Sequence, residues 1–448
     1  MKLISFKASK VHGYLDFDVS FRDDVNFFAG LNGSGKTTVL KLIVSMISPD
    51  IKEIRSIGFE SATIILEEKN KKISIAYKKD KDKKTICLYL DIDGEFFSCL
   101  LNESDKIRLE HNEMEFADES NESASSVISK IRKITSPMFL SLDRRFIKTS
   151  QEKNKEDWWS SAFNSASSRE RDRFQRKTGD TSIDEVLKLV SEEFRVARVR
   201  QSRAENTLRD KIILDSLSFT DASESAQLPN VDALALLKKK QSTIIDTLKN
   251  LELSIDGFET KFNDFFTKFE NLAKAMDKEF KGNSKLTPEQ QEDMVAWFVN
   301  QNQLNRINRI FELVEEYQYS KTTFYRKLDK LTNIINKFLS ETEKKINIDQ
   351  FGDISVYINN NKKNLSILSS GERQILIMFT HLILDKTLRS GIFIVDEPEL
   401  SLHISWQDMY VSAVQEANSG LQLILATHSP AIIGGRNHMY VPLDGERK

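Results

Sequence analysis

Residues 30 to 38 read GLNGSGKTT, and their surroundings leave little choice of fold. The stretch before, VNFFA, is apolar and strand-like; the stretch after, TTVLKLIVSMI, has the length of a helix and stops before Pro49. A glycine-rich loop that joins a strand to a helix curls the backbone so that its N–H groups point inward, at the positive end of the helix dipole. Such a loop holds an anion, and it belongs to a parallel sheet flanked by helices. The pattern G-x-x-x-x-G-K-[ST] is met by Gly30, Gly35, Lys36 and Thr37, with Asn32, Gly33, Ser34 and Thr38 filling the loop and its exit. At that spacing Lys36 offers a point charge to β- and γ-phosphates, and the Thr37 hydroxyl is a hard oxygen ligand suited to Mg²⁺.

The rest of the chain sorts by period. Residues 1–28 and 59–115 alternate as strands and hairpins, with KKDKDKK as a solvated turn, and SPMFLSLDRRF reads as a buried strand leaving a sheet. From about 150 to 345 proline and glycine become scarce, and apolar residues recur at three- and four-residue spacing in SIDEVLKLVSEEFRVARV, FETKFNDFFTKFENLAKAM and RIFELVEEYQYSKTTFYRKL. This predicts a helical insertion with antiparallel coiled-coil pairs, interrupted by polar loops at 218–230 and 281–290. After 346 strands resume, followed by a helix from 371 and two apolar strands, GIFIVDE and QLILATH. The expected fold is therefore α/β: an N-terminal lobe over 1–150, a helical insertion over 151–345 and a C-terminal lobe over 346–448.

Three more stretches carry candidate chemistry. GIFIVDEPE puts Asp396 and Glu397 at the C-terminal end of an apolar strand, the edge of a parallel sheet where ligands sit. There Asp396 can complete a Mg²⁺ shell and Glu397 can take a proton from an attacking water. ATHSP places His428 at another strand end, and LSSGER opens a second helix with Ser369, Ser370 and Gly371 at its start. As a set, GLNGSGKT, LSSGER, IFIVDEPELSLH and ATHSP resemble the ATP-binding-cassette ATPases in motif order and spacing, over about 1–150 and 346–448. The resemblance implies ATP and Mg²⁺ as ligands, held by Gly30, Asn32, Gly33, Gly35, Lys36, Thr37, Thr38 and Asp396. It implies Glu397 as catalytic base, His428 as a switch on the γ-phosphate, and 399–403 as a loop linking two sites. It also implies that Ser369 and Gly371 are offered across a dimer to the nucleotide of a second copy. Ser370, where many members have glycine, and Glu372, where transporters often have glutamine, are common in the soluble SMC/RecF-like branch. No glutamine stands at the strand end that usually supplies one; LSLDRRF offers Asp143 or Arg144 instead.

The wording DEPELSLH and THSP looks like the soluble SMC/RecF/OLD-type ATPases. The insertion lacks a zinc-hook CxxC, and only some twenty residues follow His428, so a C-terminal Toprim nuclease is not expected. What remains resembles the stand-alone ATPases of bacterial anti-phage systems, such as the Septu ATPase and its relatives in retron operons. That implies a homodimer or higher homo-oligomer controlling a separately encoded HNH-type nuclease. The alternative is a RecF/SMC-like DNA-repair ATPase acting directly on DNA.

Composition narrows the partners. A net charge of -2 gives no global pull toward nucleic acid, so any such contact needs a local patch. The arginines of 169–209, with Trp158 and Trp159 upstream, supply one candidate; the interspersed Glu170, Asp172, Glu192, Glu193 and Glu205 favour a solvated, internally paired helix face. Asp50, Glu67 and Lys69 imitate a loose nuclease pattern but straddle a helix end and a hairpin. Phe262, Phe265, Phe266 and Phe269 fit one apolar stripe, expected to be core or subunit contact. Cys87 and Cys99 have no metal spacing and read as reduced, packed thiols of a cytoplasmic protein. No apolar run approaches the roughly twenty residues that span a bilayer.

Overall fold

The computed structural model describes residues 1–29, 33–79, 85–101, 124–134, 138–140, 146–148, 168–217, 257–280, 287–385, 391–443 and 446–447. Gly30, Asn32, Asp143, Arg144, Trp158, Trp159 and the polar loop at 218–230 lie outside them, as do the side chains of 169–177. The chain forms two compact units, Met1–Glu193 with Lys327–Lys448, and Phe194–Arg326.

The first unit holds two large sheets. One has seven antiparallel strands in the order β16-β2-β1-β4-β5-β6-β7. These are β1 (Lys2–Val11), β2 (Leu15–Ser20), β4 (Ser61–Glu68), β5 (Lys71–Lys79), β6 (Ile86–Ile92), β7 (Glu95–Leu101) and β16 (Glu446–Arg447). Burial alternates along them, as a sheet with one face on a core requires: Ala62, Ile64, Leu66, Ile73, Ile75 and Tyr77 point inward. The second sheet has six strands in the order β15-β3-β14-β13-β8-β9. They are β3 (Val25–Ala29), β8 (Met138–Leu140), β9 (Phe146–Lys148), β13 (Gly391–Asp396), β14 (Leu421–Ala426) and β15 (Tyr440–Pro442). All pairs are parallel except β8 with β9. Every residue of β13 and β14 is buried, which is why both read as unbroken apolar runs.

Helix α1 (Lys36–Ile47) lies between the sheets. Its Val39, Leu40, Leu42 and Ile43 share one core with the inward residues of the antiparallel sheet and with Ile392, Ile394 and Ile424 of the parallel one. By strand alternation Phe393 and Val395 face the other way. Two short helices, α2 (Ile51–Ser56) and α3 (Ala124–Ile134), add Ile54, Val127, Ile128 and Ile131 to the shared core. Asp50 accepts hydrogen bonds from the N–H groups of Lys52 and Glu53 as the cap of α2, so its carboxylate has a structural task. Neither Cys87 nor Cys99 forms a disulfide among the described residues, and Cys99 is buried.

Two long helices, α4 (Ser168–Ser216) and α6 (Pro288–Leu339), run through both units, and α5 (Phe258–Phe280) belongs to the second. Helix α6 begins at Pro288, inside the stretch expected to be loop; proline lacks an N–H and suits the first helical turn. In the second unit α4 and α6 run antiparallel, Lys211 bridging Glu316 at 3.0 Å and Asp215 bridging Arg309 at 2.9 Å. Phe266 packs with Leu208, Phe311 and Val314, while Phe269 packs with Ala273 and Trp297. The phenylalanine stripe is therefore core of this unit. Back in the first unit, the C-terminal turn of α6 sets Phe338 5.3 Å from Phe379 of α7 (Ser370–Leu384) and 5.8 Å, edge-on, from Trp406 of α8 (Ile404–Ala417). After Leu339 a small antiparallel sheet of β10 (Lys344–Ile348), β11 (Ile354–Ile358) and β12 (Asn361–Lys363) leads back into α7. Among the described residues no helix is long and apolar enough to cross a membrane.

Candidate nucleotide-binding site

The described residues of the candidate site all belong to the first unit. Strand β3 ends at Ala29 and α1 begins at Lys36, so the glycine-rich loop sits at the C-terminal edge of the parallel sheet. Gly33 and Gly35 have φ of 82° and 89°, a region that costs other residues about 1–2 kcal/mol. Gly35 also lacks room, because a Cβ there would lie 3.1 Å from the Phe17 ring and 3.4 Å from Leu15. Strand β2 thus backs the loop closely. Gly35 is the N-cap of α1, with no side-chain cap and no acidic residue in the first turn. The helix N-terminus is left open to an external anion.

Four side chains converge on this edge. Lys36 is only 7% exposed. Burial pushes its ammonium below the usual value, and the charges of Glu397, Asp396 and Glu399 partly restore it. Asp396, 4% exposed, ends β13. Burial raises its carboxyl to about 6 against the pull of a hydrogen bond with Thr37, Glu397 adding to the rise. Its Oδ1 and the hydroxyl of Ser34 are buried without a hydrogen-bond partner among the described residues. A buried carboxylate with a spare oxygen, beside a threonine hydroxyl, is a hard donor set of the kind that binds Mg²⁺.

Glu397 follows in the left-handed region, φ 49° and ψ 59°, held there by its N–H donating to the Ala426 carbonyl at 2.8 Å and by Pro398 behind it. Its carboxylate is half-buried and makes no hydrogen bond among the described residues. Glu399, two residues on in the turn Pro398–Ser401, is the opposite. One oxygen accepts the Thr427 hydroxyl at 2.8 Å and the other accepts the His428 N–H at 2.7 Å. His428 itself is exposed beyond the end of β14, beside a cleft of about 400 Å³ lined also by Pro430, Ile433, Asn437 and Tyr440.

The second glycine-serine loop opens a different helix, α7, and shares none of these contacts. Ser369 caps it: its Oγ accepts the Glu372 N–H, while the Glu372 carboxylate accepts the Ser369 N–H at 2.7 Å. Lys344 and Thr342 also donate to that carboxylate, Lys344 at 2.9 Å as an ion pair with side chains 17% and 2% exposed. Burial alone would raise the Glu372 carboxyl, but hydrogen bonds from Lys344 and the Ser369 N–H, the Lys344 charge and Thr342 outweigh it and hold it below its usual value. The cap uses an acceptor of Ser369, so its O–H proton stays available to a ligand. Ser369 and Ser370 are exposed and Gly371 is partly so.

The contacts of Glu399 and Lys344 escape sequence reasoning, since their partners lie 28 or 29 residues away. The only local hint is the S-x-x-E spacing of Ser369 and Glu372.

A parallel sheet with a glycine-rich loop, a buried lysine and a strand-end Asp–Glu pair at one edge defines a P-loop nucleoside-triphosphatase, here carrying a helical insertion. Residues 1–433 match the AAA ATPase domain family (AAA_15), and the chain belongs to it. The chain is 25% identical over 256 residues to the Retron Vc95 probable ATPase of Vibrio cholerae serotype O1 biovar El Tor, covering 54% of this chain and 49% of that protein. Over 142 residues it is 27% identical to the Retron Ec83 probable ATPase of Escherichia coli, covering 27% and 26%. It thus spans about half, or less, of the length of these relatives. Among solved structures, an Smc head domain from Pyrococcus furiosus aligns at TM-score 0.35 and 10% identity over 96% of this chain and 91% of that one. The recombination mediator RecF aligns at TM-score 0.33 and 12% identity over 96% and 93%.

Proposed function

We propose that two copies of this chain close around ATP, each active site being built from the loop and strand ends of one copy and the Ser369–Gly371 loop of the other. The observation that carries this reading is the difference in capping between the two helix starts. The first is uncapped and gathers Lys36, Thr37, Asp396 and Glu397; the second is self-capped and presents Ser369 and Ser370 to the surface.

Hydrolysis proceeds by in-line attack of water on the γ-phosphate, where positioning and charge neutralisation do most of the catalytic work. The N–H groups at the start of α1 and the Lys36 ammonium hold the phosphates. Glu397, whose carboxylate has no competing hydrogen bond among the described residues, orients the water and takes its proton. His428 contacts the γ-phosphate, and the Ser369 O–H of the second copy donates to it across the interface. Thr37 and Asp396 would hold Mg²⁺, which supplies charge neutralisation at the β- and γ-phosphate oxygens.

Glu397→Gln is expected to keep ATP binding, lose turnover and accumulate a closed dimer, read by light scattering with and without ATP. Lys36→Ala is expected to lose binding. Normal turnover in the Glu397 variant would overturn this assignment of the base.

By the retron names of its relatives and the anti-phage resemblance of its motifs, the chain acts in the cytoplasm beside a separately encoded HNH-type nuclease that it restrains or licenses. A neighbouring reading frame for such a nuclease is the direct check. A second reading, direct action on DNA, is favoured by one observation. Arg195, Arg198, Arg200, Arg203 and Arg209 are exposed on α4, whereas Glu193 bonds Lys327 and Glu205 bonds Gln201 and Tyr317. Two of the carboxylates expected to pair with these arginines are engaged elsewhere.

A further inference from the structure

We propose that Glu399 is a positioning residue that fixes His428 relative to Glu397, so that the proton acceptor and the γ-phosphate contact move as one piece. The inference rests on the reading of Glu397 and His428 given above. Its physical basis is the division of labour between two carboxylates two residues apart. Glu397 makes no side-chain hydrogen bond among the described residues. Both oxygens of Glu399 are committed, and to consecutive residues, Thr427 and His428.

That pairing answers a local problem. The ladder of β14 with its neighbours ends at Ala426, so the N–H of His428 has no strand partner. A carboxylate only accepts, and so matches an adjacent O–H and N–H. The Thr427 oxygen in turn accepts the Ser429 N–H at 3.0 Å, and the Ser429 hydroxyl donates to Gln407 of α8. Three successive residues are thereby fixed in direction, while the His428 ring itself projects into the open. Because Glu399 rides on the same short turn as Glu397, any shift of that turn as nucleotide binds carries His428 with it.

A double-mutant cycle with single-turnover ATP hydrolysis tests this. Glu399→Ala should lower the rate by up to about a hundredfold, the loss that a misplaced group can cause, while affinity for a non-hydrolysable ATP analogue changes far less. Glu399→Gln, which keeps the shape and one acceptor, should lose less. In a His428→Ala background neither change should slow the reaction further. Selective ¹⁵N-histidine labelling should show one amide signal, that of His428, moving upfield in Glu399→Ala as its short hydrogen bond is lost. Equal losses in both backgrounds, or an unmoved histidine amide, would overturn the proposal. Should Glu399→Ala fail to fold, Glu399→Gln and Thr427→Val carry the same cycle. Failure of the underlying reading looks different: turnover would then survive Glu397→Gln.

Discussion

Gly35 is the residue on which the loop turns, and two separate demands make it glycine. Its φ of 89° disfavours any Cβ, and the Phe17 ring, 3.1 Å from where one would lie, would have to give way to admit it. Gly33 shares the first demand, with φ of 82°, but has nothing within 4 Å of a Cβ. Gly35→Ala should therefore cost more than the roughly 1–2 kcal/mol of backbone strain that Gly33→Ala carries. Denaturant unfolding should rank them so, and nucleotide titration should show the larger loss of affinity for Gly35→Ala. Equal effects would mean that β2 yields to the added methyl. The placing of Gly33, Gly35, Lys36 and the Asp396–Glu397 pair at the sheet edge was legible in the sequence because it depends on a few consecutive residues and the strand or helix beside them. The left-handed backbone at Glu397 was not, since a carbonyl of β14 and a following proline impose it on a residue with no preference for that region.

Among the elements, α1 and α7 differ in how their first turns are satisfied. The open start of α1 follows from glycine at its N-cap; the closed start of α7 follows from Ser369 and Glu372 three apart. What the spacing does not reveal is the Lys344–Glu372 pair, which joins β10 to the start of α7. Lys344→Met would leave a carboxylate buried without its counter-charge and should destabilise the first unit by about 3 kcal/mol, whereas a compensating Glu372→Gln should recover most of that. The pH dependence has a definite sign. Glu372 has its carboxyl depressed in the folded state, so its contribution is full above the unfolded value of about 4.3 and is lost as pH falls through the folded one. Thermal unfolding of Glu372→Gln should accordingly lose less between neutral and acidic pH than the parent. An identical acid slope for both would show that the pair does not set it.

For the whole molecule the open question is what the second unit meets. Regulation of a partner nuclease predicts little affinity of the isolated protein for DNA. Direct action on DNA predicts binding that weakens with salt, and a log–log slope that falls by about two when Arg198 and Arg203 are both replaced by alanine. Titration at several salt concentrations separates the two. The helical character of this region was legible from apolar spacing alone, and so was the phenylalanine stripe. That Glu193 and Glu205 turn toward α6 rather than toward the arginines was not, because their partners come from a helix more than a hundred residues later.

The amino-acid sequence by itself determined the class of site. A phosphate loop, a strand-end carboxylate pair and two further short stretches carry their chemistry in consecutive residues, and backbone conformation follows from those residues directly. Tertiary structure alone decided which of the strand-end groups are hydrogen-bonded. Glu397 and Glu399 are the same residue type in the same turn, yet among the described residues one carboxylate accepts no hydrogen bond and the other is consumed by Thr427 and His428. The reason is that a hydrogen bond is set by distance in space, and only the packing of β13 beside β14 brings those residues together.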